Sequence, residues 1–238
     1  MHRTKAVLTL LSAVAFLLSP FLSSGFAGFA PDQFPIAQVD PPVQPAGYAF
    51  SIWGLIYILL LAGAAFGAIK RVDHPAWDAA RWPLIASLLV GAAWIPIANR
   101  SVFGATVLIW IMLVTAVLAL RAAGRDDRFW LRTPIALYAG WLTAASCVAI
   151  GLVLAGYGWL GGTAAALLCI TLALVIALSV QLARPDTPEY SAAVLWALVG
   201  IIVSNTDPLN VPVLVLCAVG IAALGIVAFK RYTATSQA

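Results

Sequence analysis

The chain has 238 residues, of which 63% are hydrophobic and 9% charged, with a formal net charge of +4. Soluble domains hold roughly 45–50% apolar and about 25% charged residues. The composition therefore excludes a soluble globular enzyme and, by its opposite bias, a disordered chain; a polytopic membrane protein remains.

A membrane helix needs about 20 mostly apolar residues. Ala6 to Ala30 is the first such stretch, preceded by Arg3 and Lys5. Basic residues, an apolar run and small-residue sites at Ser24-Gly25-Phe26-Ala27 and Gly28-Phe29-Ala30 are also the pattern of a signal peptide. The run outlasts an h-region, so we read it as a retained span. Pro31 to Gly47 follows, with Pro31, Pro35, Pro41, Pro42 and Pro45. Repeated proline removes donors and disfavours helix, so this is an outer loop. Tyr48 to Ile69 is the second span. Pro83 to Leu120 is too long for one helix and divides at Asn99-Arg100-Ser101. Pro134 to Ala183 holds no charge and divides at the glycines between Gly156 and Gly162. Tyr190 to Phe229 divides at Asn205-Thr206-Asp207-Pro208. The expectation is an all-α bundle of about eight transmembrane helices.

Basic residues test that count. With the N-terminus inside, Arg3 and Lys5, then Lys70, Arg71 and Arg81, then Arg121, Arg125, Arg128 and Arg132, then Arg184, then Lys230 and Arg231 all fall on one side. Only Arg100 falls outside. The positive-inside rule then places both termini in the cytoplasm. High Ala, Gly and Arg usage suits a bacterial inner membrane.

No Walker, GxGxxG, GxSxG or HExxH motif occurs. His2 and His74 stand apart, and Cys147, Cys169 and Cys217 lie singly in apolar runs. We expect no metal site, no cofactor and no nucleic-acid partner. The middle of every span lacks Asp, Glu, Lys, Arg and His, which argues against a proton pump or an acidic-ring channel. General acid–base chemistry has no titratable group there beyond Tyr and Cys, so we expect no enzyme. A pocket in the spans would be apolar and aromatic, with neutral hydrogen-bonding groups such as Ser51, Tyr138, Thr143 and Ser146.

Tryptophan is over-used, with nine residues. Trp77, Trp82, Trp130 and Trp159 lie near span ends, as an interfacial belt does. Trp53, Trp94, Trp110, Trp141 and Trp196 lie deeper and read as packing residues or as walls for a planar hydrophobic ligand. An outer polar set holds Asp40, Gln44, Asn99, Arg100, Asn205, Asp207 and Asn210. Arg100 and Asp207 are oppositely charged. The spacing of Gly63 and Gly67 suits close helix approach and allows a homodimer.

The stretch Pro45-Ala-Gly-Tyr-Ala-Phe50-Ser-Ile-Trp53-Gly-Leu-Ile56-Tyr57 resembles the TspO/MBR family, the tryptophan-rich sensory proteins related to the translocator protein. Trp53, Ile56 and Tyr57 share one helical face. Trp94-Ile-Pro96 and Leu137-Tyr138-Ala-Gly-Trp141 are similar to that family's third- and fifth-helix motifs. The departures are Gly91 and Ala149, where the family often has Asn, and Leu60-Leu61, where it has Met-Gly. The resemblance implies a five-helix TspO-like unit over 1–157 and an added three-helix segment over 158–238. It implies a ligand-binding or sensory membrane protein, with a tetrapyrrole or sterol-like ligand held by Phe50, Trp53, Tyr57, Trp94, Tyr138 and Trp141. The Pro-rich loop would close the pocket, and Tyr138 would donate a hydrogen bond. The alternative is a secondary transporter for a small neutral or amphipathic metabolite, with Pro96 and Pro212 breaking two spans as discontinuous carrier helices do.

Overall fold

The computed structural model describes residues 2–23, 26 and 28–236, with backbone alone for 231–236. Among the described residues eight α-helices follow in order: α1 (His2–Leu22), α2 (Ile52–Lys70), α3 (Pro75–Ala98), α4 (Val102–Ala122), α5 (Arg132–Gly156), α6 (Gly162–Ala183), α7 (Pro188–Ser204) and α8 (Val211–Ser236). No β-strand occurs among the described residues. Seven helices among the described residues are long and apolar enough to cross a membrane; α7 has 17 residues and falls at the short end of the range for a span. The protein is thus a polytopic helical bundle.

Three expectations need correction. Helix α1 ends at Leu22, two residues past Pro20, and does not reach Ala30. Ser24, Gly25 and Ala27 of the first cleavage pattern lie outside the described residues. Helix α3 begins at Pro75, eight residues before the apolar run does. Its first turns are polar yet helical, because Pro75 suits a first helical position and Arg81 is bonded as described below. Finally, α3 runs unbroken through Pro83 and Pro96, and Pro212 sits in the first turn of α8. At a helix start a missing N–H costs nothing, so Pro212 opens a helix and breaks none.

The chain packs as two compact units. The first holds Met1–Phe26 and Ser51–Leu142; the second holds Ala27–Phe50 and Thr143–Ala238. In the first, α3 packs on α1 and α4, and α1 packs on α2. Ser19 Oγ donates to the Ala92 carbonyl at 2.7 Å, tying α1 to α3. The Ser101 side chain accepts from the Gly104 N–H at 3.0 Å and caps α4.

In the second unit α8 packs on α6 and α7. The Pro-rich segment is not a free loop but a packed strap. Phe34 and Val43 are buried against Gly156 and Gly151 of α5. Farther along, the strap lies on α7. Trp196 Nε1 donates to the Ala49 carbonyl at 2.9 Å and Ser204 Oγ to the Gln44 carbonyl at 2.7 Å. Asn205 Nδ2 donates to the Pro42 carbonyl at 2.9 Å. The Gly200 carbonyl accepts from the Ala46 N–H at 3.0 Å. Proline-rich backbone is poor in donors, so α7 binds it mainly by supplying them. Trp196, Gly200 and Ser204 recur every four residues and share one face.

Candidate functional site

Helix α2 begins one residue after a 3-10 turn, Gly47–Ser51. Trp53 and Tyr57 are one helical turn apart, and their rings stack at 5.5 Å with planes 21° apart. From α5, Trp141 meets Trp53 edge-on at 6.2 Å and Tyr138 approaches it at 6.4 Å. Four of the six sequence-chosen residues therefore converge in the first unit. Tyr138 and Trp141 are buried, while Trp53 and Tyr57 are half-buried.

A fifth ring was missed. Phe16 of α1 lies 4.9 Å from Tyr57, 5.7 Å from Tyr138 and 5.9 Å from Trp53. It is seated by Gly91: a Cβ there would stand 2.6 Å from the Phe16 ring. The signal was present at Gly91, since a small residue where a side chain is usual implies that something else fills the space. Phe16 itself looked like one more apolar residue of the first span.

The polar handles of this cluster are unequally spent. Ser87 Oγ donates to the Met112 carbonyl at 2.8 Å, so its oxygen accepts from the Tyr138 hydroxyl at 3.0 Å. Tyr138 thus spends its proton inside the protein. Trp94 Nε1 donates to the Ala105 carbonyl at 2.8 Å, with its ring 4.6 Å from Phe26. The Trp53 indole N–H and the Tyr57 hydroxyl make no hydrogen bond among the described residues. Phe50 belongs to the second unit, half-buried in the 3-10 turn. There Thr143 and the Tyr190 hydroxyl pair at 2.7 Å, also closed to a ligand.

A small cavity of the first unit lies elsewhere, among Ala6, Leu60, Gly63, Trp77, Arg81 and Pro134. At about 20 Å³ it has room for one water. Arg81 is 3% exposed, and its guanidinium donates to the carbonyls of Val72 at 2.7 Å and Arg71 at 2.8 Å, with Gly67 at 3.4 Å. It closes the C-terminal end of α2, whose last carbonyls lack helical partners. This explains how a cation read as a loop residue is tolerated inside.

Beside it, Asp127 accepts from Arg71 Nε at 2.6 Å, from Arg71 Nη2 at 3.0 Å and from Trp77 Nε1 at 3.0 Å. The Arg71 hydrogen bond holds the Asp127 carboxyl below the usual carboxylate range and raises the guanidinium in turn. Trp77 is therefore no interfacial residue: it is buried, with its ring over Gly67. The companion glycine, Gly63, lies under the Trp130 backbone. The glycine stripe is filled from within the unit. Trp82 and Trp159, at 52% and 61% exposed, do present themselves as belt residues would.

Comparison with known proteins gives one decisive result: the family described as TSPO-like protein matches residues 6–229. The chain belongs to that family. The TSPO-like match reaches into α8 and takes in the strap and most of both units. No curated protein and no solved structure matches the chain.

Proposed function

We propose that this TSPO-like membrane protein is a non-enzymatic receptor for a planar hydrophobic ligand, of tetrapyrrole or sterol-like shape, at the aromatic cluster of the first unit. One observation carries the reading: Trp53 and Tyr57 are half-buried and stacked, and each carries a donor that makes no hydrogen bond among the described residues. A ligand with a flat apolar body and an acceptor at its edge complements that pair. Phe16 occupies the centre, so binding exchanges its ring for the ligand's. Trp94 serves as a flanking support. Charge alternation along the sequence supports an inner-membrane placement with both termini cytoplasmic.

The test is a titration of purified protein with protoporphyrin IX, followed by tryptophan quenching. Wild type saturates. Tyr57→Phe weakens binding about five-fold, the worth of one hydrogen bond. Phe16→Ala tightens it about ten-fold by vacating the centre. Linear quenching, identical in all variants, would mean partition into the micelle and end the proposal. The unbroken course of α3 gives no support to transport by discontinuous helices.

A further inference from the structure

We propose, building on the receptor reading above, that α1 is a latched plug: the contacts of His2 and Lys5 with Asp78 hold Phe16 in the aromatic cluster, and their release admits the ligand. Asp78 lies in the first turns of α3 and is the catch. His2 Nδ1 stands 2.8 Å from its Oδ1, and Lys5 Nζ donates to its Oδ2 at 2.6 Å. The Lys5 and Asp78 side chains are 14% and 16% exposed, so this pair is largely withdrawn from screening salt. Arg81 Nη1 stands 3.5 Å from the same Oδ1 while its guanidinium is bonded to the end of α2. The catch is therefore fixed to α2 and α3, and α1 is the part free to move against it.

Little else ties α1 down. Among the described residues its side chains make polar contacts with other helices at two places: Asp78 and, toward the other end, the Ala92 carbonyl through Ser19. Thr9 and Ser12 are buried, yet their hydroxyls donate to the carbonyls of Lys5 and Leu8 in their own helix. The buried face of α1 is Ala6, Thr9, Ser12, Ala13, Phe16 and Ser19, so Phe16 is its one large side chain. That ring keys the helix into the notch at Gly91, against Tyr57, Tyr138 and Trp53. Lys5 and Phe16 are eleven positions apart, about 16 Å or three turns, and so lie on one face. No proline or glycine interrupts the helix between them, so displacement at the latch is carried to the ring rather than absorbed in a kink. A ligand that takes the centre must work against both the packing of Phe16 and the latch. Weakening the latch lowers that opposing term and tightens binding.

The experiment repeats the protoporphyrin IX titration on the full chain with Asp78→Asn, Lys5→Gln, Phe16→Ala and the Asp78→Asn/Phe16→Ala double variant, with hydrogen exchange of each ligand-free protein beside it. Asp78→Asn should speed exchange in α1 and tighten binding about five-fold. Lys5→Gln leaves the contact of Asp78 with Arg81 in place and should tighten binding about two-fold; it decides the matter should Asp78→Asn not fold. The double variant should bind no more tightly than Phe16→Ala alone, because a latch without a plug restrains nothing. Saturable binding that is equal or weaker in Asp78→Asn and Lys5→Gln leaves the receptor reading standing and overturns the latch. So does unchanged exchange in α1, or a double variant tighter than Phe16→Ala, which would mean that Asp78 reaches the site by another route. Linear quenching in every variant removes the receptor reading and the latch with it.

Discussion

The two units divide the chain's chemistry unevenly. The first contains ten of the thirteen Lys and Arg and four of the nine acidic residues; the second contains three and five. The first is held at one end by charge: Lys5 on Asp78 at 2.6 Å, Arg71 on Asp127, and Arg81 over the end of α2. In the second, the Pro-rich strap is held by neutral donors on backbone carbonyls, through Trp196, Ser204 and Asn205, while Arg184 pairs with Asp186 at 3.0 Å elsewhere in the unit. Both rely on glycine to bring segments close, but for different guests. Gly63 and Gly67 receive a backbone carbonyl and an indole; Gly200 receives the strap. Charged clamps are pH- and salt-sensitive, and neutral ones are neither. The charged end of the first unit and the neutral strap of the second should therefore fail under different conditions.

The largest expected effect comes from Gly63→Val. A Cβ there would lie 2.3 Å from the Trp130 carbonyl oxygen, which is backbone and cannot swing aside. We expect about 3 kcal/mol of destabilisation, read as faster hydrogen exchange in α2 and the α4–α5 turn while α6 to α8 hold. Gly200→Ala is its counterpart. Its Cβ would stand 2.8 Å from that of Pro45 and 2.9 Å from that of Ala49, costing about 2 kcal/mol and exposing the strap to limited proteolysis. A wild-type cleavage pattern would mean that the strap has slack. Asn205→Ala leaves the Pro42 carbonyl without its donor and should cost about 1–2 kcal/mol. Trp196→Phe removes one N–H and should cost about 1 kcal/mol.

The smallest effect at neutral pH separates the units most cleanly. The folded-state carboxyl of Asp127 titrates below its ordinary range, so its stabilisation is present above the unfolded value, about 3.9, and is lost only as pH falls through the lower folded value. Exchange in the α4–α5 turn should stay flat from neutral pH to about pH 5 and rise only below about pH 4. Asp127→Asn should bring that looseness to neutral pH. Loosening of the strap under the same acid treatment would contradict the division of labour.

Much of this architecture was legible in the sequence. Every helix appears where an apolar run of sufficient length occurs, because spanning segments must satisfy their own backbone and announce themselves by composition. Boundaries failed where polarity and helicity part company. The first turns of α3 carry Asp78 and Arg81, and no hydropathy argument shows that a buried guanidinium caps a neighbouring helix. Trp53, Tyr57, Tyr138 and Trp141 were found because aromatic residues at helical spacing are conspicuous. Phe16 was not, since its role is set by an absence of side chain at Gly91, on another helix. The sequence reads the strap as a loop, because proline content reports what a segment cannot form, not what it rests on.

The strap's mode of attachment has an evolutionary consequence. Helix α7 grips mainly carbonyl oxygens, which every amino acid carries, so much of the strap's own side-chain sequence is left free of that grip. Substitutions at Gln38, Val39 or Gln44 leave the attachment chemistry intact, whereas a change at Gly200 or Asn205 removes it. Drift should therefore accumulate on the strap itself while the helix that reads it stays fixed, so that the segment most variable in letters remains constant in path.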